Sequence, residues 1–386
     1  MSLTNYSLQT PKKVIGGLNS IEKLAEVVNS FNAERVMIIT DNGVWKAGLI
    51  EKPKAILESA GIKVEIVNDV PPEPEMQQVK DIYARVKDSD SQVIIGIGGG
   101  SSMDVSKLIS ALKYNKNFEE NMLDGSKISK KGLPLIMVPT TAGTGAEVTP
   151  NAIVVVPEKE VKIGIVSQFM IPDCVILDPA MTEKLPPAIT ASTGMDAFAH
   201  CIECLTSNKS NPLCDLFALR GIKLISRSIR KAYANGSDMQ AREDMLLAAF
   251  YGGLSITAAG TTAVHALSYP LGGKYRIAHG VSNAMLLPHV MQFNLDAIED
   301  ELVTAASEMG ISVENRSKRE VAQDVVDSIA SMVKDLNIPS DLKKYGITEN
   351  DLDGIVDAAS EQTRLLSNNR KVLSKEDMRA IYMKLM

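Results

Sequence analysis

The sequence contains few of the features that mark disulfide-rich, membrane-spanning or nucleic-acid-binding proteins. Its 386 residues include four cysteines, too few for a disulfide framework at this length. It lacks an apolar run of about 18 residues, the length that spans a membrane. The formal net charge of -6 gives no electrostatic reason to expect nucleic acid or an anionic membrane as a partner. These shortages are typical of a soluble globular enzyme.

Neither the N-terminal segment nor the cysteines indicate export. The segment MSLTNYSLQTPKK (1–13) has no apolar signal-peptide core. Cys201 and Cys204 form C-x-x-C, but no second such pair completes a zinc site. We therefore interpret them as reduced thiols of a helix rather than as a redox or metal motif. A cytoplasmic protein is expected.

The first half of the chain has the pattern of strands alternating with helices. Helical patterns such as IEKLAEVVNS (21–30) and MQQVKDIYARVKD (76–88) separate short apolar runs. Such alternation predicts a largely parallel sheet. The predicted strands are VMIIT (36–40), VEIV (64–67), VIIGI (93–97), LIMV (135–138), IVVV (153–156) and VIL (175–177).

The second half has helical periodicity and hardly any strand-like run. Long helical patterns begin at Ala188, Leu213 and Arg242, after the helix-breaking pair Pro186-Pro187. Because 386 residues are too many for one ordinary core, we predict two domains. These are an α/β domain over 1–186 and an all-helical domain over 187–386. The polar segment SVENRSKRE (312–320) is predicted to be a loop or a helix start.

Two glycine-rich loops follow predicted strands. IGGGSSMD (97–104) ends a strand and opens a helix, whose free N–H groups and positive dipole end suit a pyrophosphate. Its spacing is not G-x-G-x-x-G, because Ser101 stands where the last glycine would fall. A tight turn without a ligand remains the alternative. The second loop, PTTAGTGAEVT (139–149), supplies further N–H and hydroxyl donors, and both loops can face one crevice that holds a dinucleotide.

Asp41 lies at the end of the predicted strand VMIIT. A carboxylate there can accept hydrogen bonds from a ribose diol, and it would repel the 2′-phosphate of NADP. This favours NAD. The alternative is that Asp41 only starts a turn or a helix.

One aspartate and three of the four histidines suggest a metal site. Asp196 and His200 are four residues apart and share a helix face, although a simple Asp–His hydrogen bond explains that pair equally well. His265 ends or follows a helical run. Gly272 and Gly273 let the chain turn before His279. Such donors suit Fe(II) or Zn(II), and also Mn or Co, but not Mg or Ca.

His289 lies in LPHVM (287–291). We interpret it as a packing or hydrogen-bonding histidine.

Four motifs together resemble those of the iron-containing (group III) alcohol dehydrogenases. They are GGGSSMD (98–104), PTTAGTGAEVT (139–149), the D-x-x-x-H of Asp196 and His200, and HALSYPLGG (265–273) followed by His279-Gly280. The resemblance extends from PKKVIGG (11–17) to the C-terminal helices.

The resemblance implies a dehydroquinate synthase-like architecture. This has an N-terminal α/β dinucleotide-binding domain with a parallel sheet, an all-α C-terminal domain and an active site in the cleft between them. It also implies a homodimer or larger homo-oligomer. The implied metal ligands are Asp196, His200, His265 and His279, which would hold Fe²⁺ or alternatively Zn²⁺. The cofactor would be NAD, with NADP as the alternative, and its contacts would be Asp41, Gly98, Gly99, Gly100, Ser101, Thr140, Thr141, Thr144 and Lys162.

Tyr269 departs from the family pattern. Many members have a histidine at this position, four residues after the first histidine of H-A-L-A-H, near the nicotinamide. Tyr269 can donate a hydrogen bond, but a phenol with a pKa of about 10 is a poor base at neutral pH. A catalytic role and a purely packing role both stay open for Tyr269.

The expected function is a metal-dependent, NAD(P)-linked alcohol dehydrogenase that interconverts a small alcohol and its aldehyde or ketone. The substrate oxygen would lie on the metal, and hydride would pass to the nicotinamide. One alternative is a hydroxy-acid or polyol dehydrogenase acting on 4-hydroxybutyrate, lactaldehyde, propanediol or glycerol. Lys274 and Arg276 could attract the carboxylate of a hydroxy acid, although both could equally be solvated charges of a loop.

Two further alternatives differ in class. A dehydroquinate synthase-like lyase would need a crowded basic site, which the few basic residues near the proposed ligands do not supply. A nucleotide-binding protein without activity would have no need of all four metal ligands.

Overall fold

The computed structural model describes residues 5–157 and 161–386. The chain divides into two compact units. One is Gln9–Leu185, and the other contains Pro186–Met386. Each unit has its own secondary structure and is described separately below.

A parallel sheet forms the centre of the first unit. In the described part of the chain its strands lie in the order β1-β8-β5-β4-β2-β3, and every neighbouring pair is parallel. The predicted α/β fold with a parallel sheet is therefore confirmed. The strands are β1 (Lys13–Gly16), β2 (Arg35–Asp41), β3 (Lys63–Val70), β4 (Val93–Gly98), β5 (Leu135–Pro139) and β8 (Cys174–Leu177).

The central strands are apolar on both faces because helices cover both sides of the sheet. Successive side chains of a strand point to opposite faces. Accordingly, Met37 and Ile94 belong to one buried cluster, whereas Ile38 and Ile95 belong to another. This two-sided burial explains the continuous apolar runs in the sequence. The helices of this unit are α1 (Leu24–Asn29), α2 (Asn42–Lys46), α3 (Glu51–Ser59), α4 (Met76–Val86), α5 (Gly100–Leu112) and α6 (Lys116–Glu120).

Two features of the sheet differ from the sequence-based expectation. The run IVVV is a strand, β6 (Asn151–Val156), but it pairs with β7 (Val161–Val166) in a separate antiparallel hairpin. The edge strand β1 was not predicted. It has four residues, three of them exposed, so it lacks the apolar run that marks the central strands.

The second unit is built of helices. Residues 186–386 are all described, and none of them lies in a strand. The all-helical C-terminal part is thus confirmed. Its helices are α7 (Pro187–Leu205), α8 (Pro212–Ala234), α9 (Met239–Ala258), α10 (Ala263–Tyr275), α11 (His279–Asn294), α12 (Glu299–Glu308), α13 (Lys318–Asp335), α14 (Leu352–Ser360), α15 (Thr363–Leu366) and α16 (Lys375–Met383).

His265 follows the long helix α9, as one of its two predicted positions held, and lies in the first turn of α10. The chain bends between these helices near Gly260, whose φ is +82°. The expectation for Gly272 and Gly273 is wrong, because both lie inside α10 and make no turn. The turn before α11 is made by Arg276, which adopts the left-handed conformation with φ of 55°.

Among residues 5–157 and 161–386, no single helix is long and apolar enough to span a membrane. The helices α9 and α10 have sufficient length and apolar character only when taken together, and they are bent by 106° at the break between them.

Candidate metal centre and nucleotide loops

Three helices of the second unit bring four potential metal ligands together. Asp196 and His200 lie one turn apart on α7, His265 lies in the first turn of α10, and His279 begins α11. One ligand atom from each residue lies within 4.8 Å of the others. The structure therefore gathers all four predicted ligands in one place.

The spacing of these atoms suits a single ion. The Nε2 atoms of His200, His265 and His279 lie 3.7, 3.8 and 3.8 Å from Oδ1 of Asp196. Because metal–nitrogen and metal–oxygen bonds are about 2.1 Å, two ligands of one ion lie up to about 4 Å apart. Three nitrogens and one oxygen at this spacing fit a transition metal rather than Mg²⁺ or Ca²⁺.

Because most of the cluster is buried, a charge in it is costly unless it has a partner. Asp196, His200 and His265 are buried, whereas the His279 side chain is 28% exposed. Burial alone would raise the pKa of Asp196, but the three imidazoles and a hydrogen bond from Asn283 bring that pKa below its usual value. Asp196 is therefore held in its ionised form, in which its carboxylate can bind a cation.

Glu203 contacts the ring of His265 at Nδ1, whereas Nε2 of the same ring lies near Asp196. The Glu203 carboxylate is fully buried, and Oε2 accepts a hydrogen bond from Nδ1 of His265. Burial would raise the pKa of Glu203, yet the charge and hydrogen bond of His265 lower the pKa overall. The sequence analysis missed Glu203. Its position three residues after His200 places it on the same face of α7, a signal that could have found it.

Asn283 is a second residue that the sequence analysis missed. It lies one turn after His279 on α11, and its Nδ2 is 2.7 Å from Oδ1 of Asp196. The same nitrogen lies 3.1 Å from Nε2 of His265 and 3.2 Å from Nε2 of His279. The i, i+4 spacing from His279 could have indicated this side chain.

The two glycine-rich loops of the first unit lie side by side. The Thr140 amide donates a 2.9 Å hydrogen bond to the carbonyl of Gly98. A Cβ atom on Gly99 would lie 3.3 Å from Cγ2 of Thr141, and one on Gly100 would lie 2.8 Å from Cγ2 of Thr144. A side chain at Gly100 would require its neighbour to move, whereas one at Gly99 would require a shift of only a few tenths of an ångström.

The helix α5 begins at these loops. Its N-cap is Gly99, and no side chain caps it. Its first N–H groups and the positive end of its dipole are therefore the groups that suit a phosphate.

A short chain of polar contacts joins two predicted nucleotide residues. The Glu73 amide donates a 3.1 Å hydrogen bond to Oγ of Ser101. The Glu73 carboxylate pairs with Nζ of Lys162 at 2.7 Å. Glu73 was not predicted, and nothing in the spacing along the chain indicates it, because the three residues come from separate segments.

Asp41 starts the helix α2, as the alternative interpretation of this residue predicted. Its Oδ1 accepts the Val44 amide at 3.0 Å and caps α2. Its Oδ2 accepts the Ser102 hydroxyl at 3.0 Å. Asp41 therefore lies against the helix that begins at the first glycine-rich loop, and its contact with a ribose stays a prediction.

Tyr269 lies near the metal cluster. Its ring centroid is 6.1 Å from that of His279, and the residue is 6% exposed. It also packs in an apolar cluster with Ala266 and Leu365. Tyr269 therefore packs in the core, and its catalytic role stays a prediction.

His289 and the four cysteines have surroundings that fit a structural role. The pKa of His289 is lowered by burial and by Lys384, which fits a packing histidine. The four cysteines are free thiols and all are buried.

Comparison with known proteins gives a consistent result for both units. A family model for iron-containing alcohol dehydrogenase matches residues 11–179. A second, for the C-terminal part of the Fe-containing alcohol dehydrogenase family, matches residues 190–386. The chain is 37% identical to long-chain-alcohol dehydrogenase 1 of Geobacillus thermodenitrificans, over 95% of this chain and 93% of that protein.

Solved structures resemble the chain over its length. A 1,3-propanediol oxidoreductase has a TM-score of 0.94 and 31% identity, covering 99% of this chain and 100% of that one. Sulfoacetaldehyde reductase from Bifidobacterium kashiwanohense, solved in complex with NAD⁺, has a TM-score of 0.85 and 26% identity, with 99% of both chains covered.

Proposed function

Because the chain belongs to the iron-containing alcohol dehydrogenase family, and so is an alcohol or polyol dehydrogenase, we propose its cofactors and substrate class. It uses one divalent metal ion, Fe²⁺ or alternatively Zn²⁺, together with NAD. It interconverts a small alcohol and its aldehyde or ketone by hydride transfer.

The observation that carries this proposal is the convergence of Asp196, His200, His265 and His279 within 4.8 Å. An ion held there would supply Lewis acidity toward an alcohol or carbonyl oxygen. The chain contributes one carboxylate and three imidazoles, so the ion keeps a net positive charge. Burial of three of the four ligands keeps water from most of the ion's surroundings. The more exposed side, at His279, is where a substrate would enter.

The glycine-rich loops would bind the dinucleotide. The N-terminus of α5 offers N–H donors to the pyrophosphate, and Thr140, Thr141 and Thr144 add hydroxyl and N–H donors beside it. Asp41 supports NAD over NADP, because a carboxylate repels a 2′-phosphate. The NAD⁺ complex of the similar sulfoacetaldehyde reductase supports the same choice.

A polyol is the second candidate substrate. The similarity to 1,3-propanediol oxidoreductase supports it, and the similarity to sulfoacetaldehyde reductase supports an acidic substrate on the same fold. A simple alcohol is favoured by the similarity to a long-chain-alcohol dehydrogenase. Nζ of Lys274 lies 5.9 Å from the Tyr275 ring centroid.

Turnover after metal reconstitution tests the proposal. The anaerobically purified, metal-stripped protein would be loaded with Fe(II) or Zn(II) and assayed for NADH formation. The panel would contain simple alcohols, 1,3-propanediol, glycerol and 4-hydroxybutyrate. We expect NADH formation that requires metal, and much slower NADPH formation when NADP replaces NAD. Full turnover without metal would contradict the proposal, as would the absence of NADH formation with every substrate.

A further inference from the structure

We propose that Glu203 is a positioning residue that fixes the tautomer and direction of His265, and thereby sets the affinity of the four-residue cluster for its metal ion. The proposal rests on the proposed metal-dependent function. Glu203 contributes no atom to the cluster of four ligands. It acts through the side of the His265 ring that faces away from them.

The two carboxylate oxygens of Glu203 have separate tasks. Oε1 accepts hydrogen bonds from the Thr262 amide at 2.9 Å, the Thr262 hydroxyl at 2.7 Å and the Val264 amide at 2.9 Å. The His265 amide approaches the same oxygen at 3.4 Å. Oε2 is bonded to Nδ1 of the His265 ring. One carboxylate on α7 therefore holds both the backbone and the side chain of the first turn of α10.

The backbone contacts explain why a carboxylate is tolerated in a fully buried position. The first N–H groups of a helix have no partner inside the helix, and Thr262, the N-cap of α10, makes no side-chain cap of its own. Glu203 supplies the missing acceptor from a neighbouring helix. The positive end of the α10 dipole also favours a negative charge at this point.

The side-chain contact decides which nitrogen of His265 can bind a metal. An ionised carboxylate only accepts hydrogen bonds, so Nδ1 must carry the proton. In the neutral ring, Nε2 then keeps its lone pair, and it is this atom that lies 3.8 Å from Oδ1 of Asp196. A neutral imidazole nitrogen with a free lone pair is the form that ligates a metal. Glu203 thus prepares His265 for binding before any ion arrives.

The variant Glu203→Gln separates the two tasks. The amide oxygen of glutamine can still accept the N–H groups of α10, but its NH₂ group would face Nδ1 and donate to it. His265 would then carry its proton on Nε2, the atom needed for the metal. We expect the affinity for Zn²⁺, measured by competition with a chromophoric chelator, to fall about 10- to 100-fold. A folded Glu203→Gln protein with unchanged Zn²⁺ affinity would overturn the proposal.

Thr262→Val is the matched control. It removes the hydroxyl donor to Oε1 while keeping a similar shape, and it leaves the bond between Oε2 and His265 in place. We expect a lower thermal midpoint but a Zn²⁺ affinity close to that of the unchanged protein. An equal loss of Zn²⁺ affinity in both variants would show that Glu203 acts only through general stability, which contradicts the proposal.

The tautomer can also be read directly in the metal-free protein. With four histidines in the chain, ¹⁵N labelling of histidine gives few side-chain signals, and His265→Ala identifies the one of interest. With the ring in its neutral form, we expect the Nδ1–H tautomer for His265 and the Nε2–H tautomer in Glu203→Gln. An Nε2–H form in the unchanged protein would refute the role of Glu203, even if Glu203→Gln did not fold. A chain that shows the Nδ1–H form but binds no Zn²⁺ would instead contradict the proposed function.

Discussion

Buried carboxylates differ sharply in this chain according to their partners. Asp196 and Glu203 lie among histidines and hydrogen-bond donors, which stabilise their charges. Glu147, at the end of the second glycine-rich loop, is 2% exposed, and its Oε1 has no hydrogen-bond partner among the described residues. Burial raises the pKa of Glu147 from 4.5 to about 7, and hydrogen bonding and Lys107 offset this only in part. Its ionised form therefore weakens the folded state.

Glu147→Gln should stabilise the protein only at higher pH. Because the folded pKa of about 7 is higher than the unfolded value of 4.5, the unfolded state loses its proton first. The penalty is absent below pH 4.5, grows as pH rises and is complete above pH 7. It amounts to about 3 kcal/mol at most. Urea midpoints at pH 5 and pH 8 should show a gain for Glu147→Gln that is larger at pH 8.

The exposed Glu34 in the same unit gives the control for that comparison. Glu34→Gln should change the urea midpoint equally at both pH values. If Glu147→Gln behaves in the same way as Glu34→Gln, the unfavourable burial of the Glu147 charge is disproved.

Sequence reasoning brought together residues whose type alone is informative. Histidine is rare in this chain, so three histidines with an aspartate were a usable signal for the four-residue cluster, whose role in metal binding stays a prediction. Glu203 and Asn283 were missed because their importance depends on side chains from other helices. Glu73 was missed for the same reason, since its partners Ser101 and Lys162 are distant in sequence.

At the scale of secondary-structure elements, long buried segments were predictable and short ones were not. All six predicted strands and the long helices of the second unit exist, because burial on one or both faces leaves a clear apolar pattern. The edge strand β1 leaves none. The turns at Gly260 and Arg276 depend on single left-handed residues, which the apolar periodicity of the neighbouring helices does not reveal. This is why the turn before His279 was expected at Gly272 and Gly273 rather than at Arg276.

The close contact between the two glycine-rich loops can be tested at Gly100, the first residue of α5. In Gly100→Ala the new Cβ would lie 2.8 Å from Cγ2 of Thr144, so the Thr144 side chain, or the loop that carries it, must shift away from the first turn of α5. A strain of 1–3 kcal/mol is typical of such overpacking, and we expect NADH affinity, measured by fluorescence titration, to fall about tenfold. Zn²⁺ binding should be unchanged, because the four proposed ligands lie in the second unit.

Gly354→Ala is the matched control, since a Cβ atom there meets nothing within 4 Å. It lies in the helix α14, where replacing glycine by alanine stabilises by about 0.5–1 kcal/mol. NADH affinity should stay the same in this variant. Unchanged NADH affinity in Gly100→Ala as well would mean that the loops do not bind the dinucleotide.

On the scale of the whole molecule, each unit carries its own candidate binding residues. The metal cluster is formed by α7, α10 and α11 alone, and the glycine-rich loops belong to the first unit alone. The parallel sheet and the helical part were predictable because the apolar pattern changes near residue 186. Substrate identity was not predictable, because it depends on side chains that the sequence pattern does not bring together. Substitutions in one unit should therefore abolish metal binding without nucleotide binding, and substitutions in the other should do the reverse.

The most direct test of the central claim is metal analysis of the anaerobically loaded protein and of His265→Ala, with NADH binding measured on the same samples. We predict about one metal ion per chain in the unchanged protein, a ratio that four ligands around a single ion require. We predict little or no metal or NAD-linked turnover in His265→Ala, with NADH binding retained. A His265→Ala protein that keeps its full metal content and normal turnover would contradict the account.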